Sequence, residues 1–293
     1  MTSTVTIVTT PPRGDGRMAS IRRFVKTEPI GVVSIVVIAF VVFVAVFAPL
    51  LAPYDPLAQN RADILVPPSA QYWMGTDWLG RDVLSRIIFG AQTSLVIAVA
   101  TTVIAGVIGV TVGVISGYAG GFFDLAVQRI ADAIESVPPI VLLLLIAAIM
   151  GPSIPNTVFA LMIMLLPSFN RVARGEVLRI KREPFVEAAV ATGVGPARIV
   201  VRHVLPNMMG PILTLATLRF AGVIIAESAL SFLGLGPPPP TPSWGGMLSS
   251  GVQYIDFAPW LIVFPAIALS VAVLAFNLLG DSLRDFLDPK LVR

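Results

Sequence analysis

Hydrophobic residues in this chain gather into long charge-free runs instead of the narrow stripes of a soluble domain, and those runs mark six candidate membrane spans. The first is Ile30 to Leu51. The second lies inside the uncharged stretch from Ile87 to Phe123 and is placed at Ser94 to Tyr118. The third and fourth share the stretch from Val137 to Asn170, interrupted by the turn-forming sequence Gly151-Pro152-Ser153-Ile154-Pro155-Asn156. The fifth runs from about Pro211 to Leu233, and the sixth from Phe257 to Gly280.

The third run is short. Pro138 to Met150 reaches only about 20 Å as a helix, against a hydrocarbon core of about 30 Å. The helix is therefore expected to extend back through residues 124–136, where Asp124, Gln128, Asp132 and Glu135 fall on one face. Two arrangements keep this stripe out of lipid: an interfacial helix followed by a kink at Pro138-Pro139, or a bent helix whose polar end faces the bundle interior.

Composition agrees with a multi-span membrane protein. Of 293 residues, 56% are hydrophobic and 13% charged, and the mean hydropathy is +0.87. Soluble domains carry about 25% charged residues, so too little polar surface remains to coat a globule in water. There is no cysteine and one histidine, His203, which excludes disulfides, thiolate sites and a multi-histidine metal centre. The run from Ile30 is too long for a signal-peptide core of about 7–15 residues and reads as an uncleaved first span. Sixteen of the 20 basic residues fall in the tails and in the loops that would share their side. By the positive-inside rule both termini are expected in the cytoplasm, and the high pI needs no nucleic-acid partner.

The stretch from Arg171 to Asn207 is polar and helix-favouring. Its centre reads Glu187-Ala188-Ala189, three residues, Gly193, nine residues, then His203-Val204-Leu205-Pro206. This predicts a helix with a smooth alanine face, a sharp turn at Gly193 and Gly195, and a second helix starting at Pro196 and stopped by Pro206. His203 is expected to pack at a helix end.

That spaced pattern resembles the cytoplasmic signature of permease subunits of binding-protein-dependent ABC importers. Two further segments resemble the dipeptide/oligopeptide/nickel class, and within it the second of the two permease types. One is Gly75-Thr76-Asp77 with Gly80-Arg81-Asp82 and Ser85-Arg86. The other is Glu227-Ser228-Ala229-Leu230-Ser231-Phe232-Leu233-Gly234, with Pro242-Ser243-Trp244-Gly245 downstream. Tyr72-Trp73-Met74 departs from the polar residue many relatives carry there. The resemblance implies an all-α integral membrane protein with six transmembrane helices, the MetI-like bundle of type I importers.

The apolar runs, the charge bias and the resemblance together divide the chain. Residues 1–28 and 286–293 would be cytoplasmic tails, 29–52 the first span, and 53–93 an extracytoplasmic segment with a short amphipathic helix over Val83, Leu84, Ile87 and Ile88. Residues 94–285 would form the permease core around the 171–207 coupling loop. In the family that loop docks on an ATPase, which assigns Glu187, Ala188, Ala189, Gly193, Arg198, Arg202 and Pro206 to coupling. Asp77, Arg81, Asp82, Arg86 and Trp244 are candidates for binding-protein docking or an outer gate; the alternative, stronger residue by residue, is a folded connector whose charges satisfy one another. Arg219 and Glu227, about 12 Å apart along one helix, are candidates for lining the pathway or for intramembrane pairing, with a partner across the permease dimer as one option.

The implied partners are a second permease in a heterodimer, two ATP-binding subunits, an extracytoplasmic substrate-binding protein and lipid, in a bacterial or archaeal cell membrane. No cofactor or metal is expected on this chain; ATP and Mg belong to the ATPases. With no Gly-Lys dipeptide the chain lacks a phosphate-cradling loop, and it shows no catalytic constellation, so it is read as a transport subunit and not an enzyme. The cargo class the resemblance implies is peptides, with nickel, glutathione or oligosaccharides as alternatives. An ion-gradient-driven carrier is the competing mechanism, for which Glu227 is the one suitable carboxylate.

Overall fold

The computed structural model describes Arg22 and residues 24–287; most of the 1–28 tail and the end of the 286–293 tail lie outside the described residues. Among the described residues the chain is helical, and its one β-bridge joins Thr76 to Asp82. Helix α1 (Pro29–Val46) is followed by a turn at Ala48–Leu51 and a long connector. Then come α2 (Val83–Ala119), α3 (Gly121–Ser136), α4 (Pro139–Met150), α5 (Ile154–Ile180) and α6 (Pro184–Ala191). The chain ends with α7 (Leu205–Phe232), α8 (Trp244–Gly251) and α9 (Trp260–Leu287). Five helical stretches are long and apolar enough to cross a membrane, or six when the bent pair α3 and α4 counts as one span.

Helices α2 and α5 form the most extensive contact, and glycine spacing explains it. Gly106, Gly109, Gly113 and Gly117 line one face of α2. A β-carbon on Gly109 would sit 2.7 Å from the Phe169 β-carbon, and one on Gly113 would collide with the Asn170 carbonyl. Absent side chains let the two backbones meet, which is how helices associate in lipid where burial of apolar surface gives no advantage. The same logic sets Gly280 of α9 against Leu218 of α7 and Gly31 of α1 against Ser282. Outside this core, Val96, Val99, Val103 and Val107 of α2 and Val263, Ile267, Val271 and Leu274 of α9 form exposed apolar stripes, faces suited to lipid or another apolar surface.

Two expectations about the elements need correction, and the kink left open at Pro138-Pro139 is observed. The second span starts at Val83, eleven residues before Ser94, so Val83, Leu84, Ile87 and Ile88 are the first turns of α2 and form no separate interfacial helix; a boundary at 93/94 cuts an intact helix. Its N-cap is Asp82, whose carboxylate accepts from the Ser85 amide at 2.7 Å. The third span breaks by 90° between α3 and α4, at Val137-Pro138, because proline disfavours the helical conformation of the residue before it. Finally, Pro206 does not stop the helix. The stretch from Pro196 to Phe232 is helical throughout, and a π-helical turn at Val200–Val204 precedes Pro206, which sits in the first turn of α7. Registers of that kind accommodate the backbone hydrogen bond a proline cannot donate.

The polar stripe on α3 combines both arrangements open in the sequence: a sharp kink, and polar groups turned onto protein. Arg174 of α5 donates twice to Asp124, at 2.6 Å each. Asn170 donates to Gln128 at 3.3 Å, and Arg171 bridges Asp132 at 2.9 Å and Glu135 at 2.7 Å.

Candidate functional site

Two polar regions occupy opposite ends of the bundle. At one end, α6 stands beyond the end of α5. Buried Val186 and Ile199 anchor it and the following turn. Glu187, Ala188 and Ala191 are exposed and Ala189 is half-buried. Gly193 closes α6 with φ +79°; its amide reaches the Val190 carbonyl at 2.9 Å and the Val194 amide reaches Ala189 at 3.0 Å. This is a Schellman ending, which needs the left-handed conformation that glycine adopts without strain. A β-carbon on Gly193 or Gly195 would touch nothing within 4 Å, so the glycine requirement at 193 is conformational and the space above the turn is free. Arg198, Arg202 and Pro206 are exposed on the next helical stretch. Exposed Phe185 and Val190 add an apolar element to this surface that the motif had not drawn attention to, although both flank it. His203 packs on Phe185, ring centroids 6.1 Å apart.

At the other end, residues 53–82 fold back over the start of α2. Asp77 is the hub: Oδ1 accepts from the amides of Leu79 and Arg81 at 2.8 and 3.0 Å, and Oδ2 accepts from Arg81 Nε at 2.7 Å, with Arg86 Nε at 3.6 Å. Arg86 also donates to the Pro56 carbonyl at 3.2 Å. Arg81 lies 5.1 Å over the Trp78 ring, which stacks on Tyr254. Tyr72 donates to Asp63 at 2.9 Å, and this bond to a carboxylate holds the phenol above its ordinary pKa. Asp77, Arg81, Asp82 and Arg86 are all at most 6% exposed. Asp77, Arg81 and Arg86 satisfy one another inside the connector, and Asp82 accepts from Ser85.

Trp244 is buried as well. Its Nε1 donates to the Ile87 carbonyl at 3.1 Å, and Gly90 lies flat against its ring. It wedges α8 against α2. Trp260 makes the equivalent bond to Thr76 at 3.1 Å, tying the connector to α9.

Between the two ends lie Glu227 and Arg219. Glu227 is fully buried and accepts from Ser94 at 3.0 Å, Ser231 at 2.7 Å and Ser228 at 3.5 Å. These serines belong to its own chain, and Ser94 ties α2 to α7. Arg219 has the opposite surroundings. It is exposed and lines a cleft of about 710 Å³ between α3–α4, α5 and α7, together with Glu135, Arg171 and Ser168. It makes no ion pair with any described residue. Among the described residues no group of His, Cys, Asp or Glu is placed to hold a metal.

The comparisons with known proteins agree with this architecture. Residues 109–293 match the family of binding-protein-dependent transport system inner membrane components, and residues 18–68 match the N-terminal transmembrane domain of oligopeptide transport permease C. The dipeptide transport system permease protein of Alkalihalophilus pseudofirmus is 41% identical over 266 residues, 91% of this chain and 88% of that one. The di/tripeptide transport system permease protein of Pseudomonas aeruginosa is 43% identical over 257 residues, 86% and 85% of the two chains. A glutathione transport system permease protein of Escherichia coli is 42% identical over 273 residues, 92% and 89%. Among solved structures, the inward-facing MetNI methionine ABC transporter superposes with a TM-score of 0.57 at 20% identity, over 69% of this chain and 97% of that one, a likeness of fold.

Proposed function

Because this chain belongs to the family of binding-protein-dependent transport system inner membrane components, a family of non-enzymatic multi-pass subunits in ATP-driven importers, we propose that it forms half of a translocation pathway for short peptides. The relatives that match it along most of their length are named for dipeptide, di/tripeptide and glutathione transport, and glutathione is itself a peptide. The other half would be a second, different permease. Two ATPases would supply the motion, and a binding protein would deliver cargo at the connector end. The end bearing α6, with both chain termini, would face the cytoplasm, and residues 53–82 would lie outside.

The observation that carries this reading is the exposed α6 hairpin. Its helix is closed by backbone hydrogen bonds through the Gly193 turn, while Phe185, Glu187, Ala188 and Val190 are left exposed. A rigid, partly apolar projection of this kind suits insertion into a cleft of another protein and transmission of its movement. Ion-gradient coupling is disfavoured because Glu227, the carboxylate it would require, is closed among serines.

The chain has no cysteine, so Ala188→Cys gives a single reactive thiol. In membranes containing the whole importer, this thiol is expected to cross-link to the ATPase subunit and to react with impermeant maleimide only from the cytoplasmic side. Labelling from the outside, or no cross-link in a complex that still carries out ATP-driven uptake, overturns the reading.

A further inference from the structure

We infer that Arg219 is a recognition site for a carboxylate on the transported molecule, set within the cleft between α3–α4, α5 and α7; this rests on the permease reading and adds the chemical class of group the pathway engages. Arg219 stands midway along α7, fourteen residues from Leu205 and thirteen from Phe232. A guanidinium stays charged under all ordinary conditions, and at such depth it needs water, a protein partner or a ligand. The one carboxylate among the residues lining the same cleft, Glu135, is already engaged by Arg171 at 2.7 Å. Arg171 also takes Asp132, which does not line the cleft. Arg219 is the cation left over.

The surroundings are built for an occupant. Gly222, Ala226 and Ala229 follow Arg219 on the same face of α7 and line the same cleft. Their small size leaves space beside the guanidinium, and α4 and α5 contribute apolar Ile140, Leu143 and Leu165 beside the Arg171–Glu135 pair. A forked cation in a cleft of about 710 Å³ with apolar walls matches a small molecule carrying a carboxylate and hydrophobic side chains, since guanidinium and carboxylate pair through two parallel hydrogen bonds. Glu227, eight residues on, contributes nothing here because its oxygens are held by serines.

The test uses the complete importer in proteoliposomes, with Ser168→Cys as the sole thiol on the cleft. The probes are alanyl-phenylalanine and its C-terminal amide, and the readout is the concentration of each that slows maleimide labelling by half. With Arg219 present, the free acid is expected to protect at about tenfold lower concentration than the amide. Arg219→Gln should remove that difference while leaving protection by the amide unchanged, and Arg219→Lys should restore part of it. Equal protection by acid and amide with Arg219 intact overturns the inference without needing any variant to fold. Loss of protection by both probes in Arg219→Gln, with Arg219→Lys no better, also overturns it and assigns Arg219 to structure. If the importer carrying Arg219 shows no ATP-driven uptake of the peptide, the permease reading fails instead.

Discussion

The connector end and the α6 end of this protein carry motifs of similar density in Gly, charged and small residues, yet they handle those residues in opposite ways. In the connector every charged member of the motif points inward: Asp77 serves Arg81 and Arg86, and Asp82 caps α2. At α6 the backbone alone is satisfied, and Glu187, Arg198 and Arg202 stand in the open. A motif whose side chains are used up inside the chain builds architecture. One whose side chains are left over, on a backbone that holds its shape unaided, is available to a partner. The difference lies in where the bonding capacity ends, and substitutions at the two ends should separate it.

The largest effect is expected at the hub. Asp77→Ala would leave Arg81 and Arg86 buried without their carboxylate and release two backbone amides that it now accepts. Breaking a buried pair from one side costs about 3–5 kcal/mol, a large part of the stability of most proteins. Fluorescence-detected size exclusion of the purified protein should show a steep loss of folded material, and heat unfolding of the remainder a clearly lowered midpoint. If Asp77→Ala folds and unfolds as the parent does, the connector is not held by its charges and the contrast between the two ends fails.

Much of this division was legible beforehand, and the gaps have physical causes. The spans could be read because charge is excluded from lipid, and the Gly193 turn because only glycine takes φ +79° without strain. The α2–α5 contact was also present as glycines at positions 109, 113 and 117, a spacing that marks close helix approach, but it went unread because it announces no partner. The start of α2 was hidden by Arg86, a charge that reads as the division between a short helix and the apolar run until Asp77 and the Pro56 carbonyl are seen to neutralise and bond it. The course of the chain through Pro206 was hidden because a π-helical turn leaves no mark in a single sequence. Burial of Trp244 and the Ser94 contact of Glu227 depend on residues more than a hundred positions away, and no local pattern reports such pairs. The same holds for Arg219, whose significance is that nothing distant comes to meet it.

A smaller effect on stability, with a larger one on function, is expected at the turn. Gly193→Val forces a β-branched residue into the left-handed region, costing about 1–3 kcal/mol, but the strain falls on a hairpin outside the bundle. The unfolding midpoint should move little, whereas ATP-driven uptake should fall about tenfold or more, the equivalent of misplacing the hairpin by about 1.4 kcal/mol. Gly195→Ala is the matched control: Gly195 has φ −66°, and its β-carbon would meet nothing, so both stability and uptake should be retained. Equal losses in the two variants would mean that the hairpin responds to added bulk and not to the conformation of one residue.

The smallest structural effect belongs to Glu187, and it separates the two ends most sharply. Its side chain is exposed and makes no ion pair with any described residue, so Glu187→Ala removes nothing the chain uses to hold itself together beyond a favourable charge in the first turn of α6. Alanine is also the best helix former, which works against even that small loss. The unfolding midpoint is therefore expected to stay where it is. Binding of the isolated ATPase subunit to the permease, measured by co-purification across a salt series, should nevertheless weaken, and the weakening should shrink as salt rises and screens whatever charge Glu187 meets. Asp77 offers the mirror image: fold lost, with no surface left on which to measure a partner. If Glu187→Ala lowers the midpoint while leaving ATPase binding intact, the exposed hairpin is an ordinary part of the fold, and leftover bonding capacity is no guide to where this protein meets another.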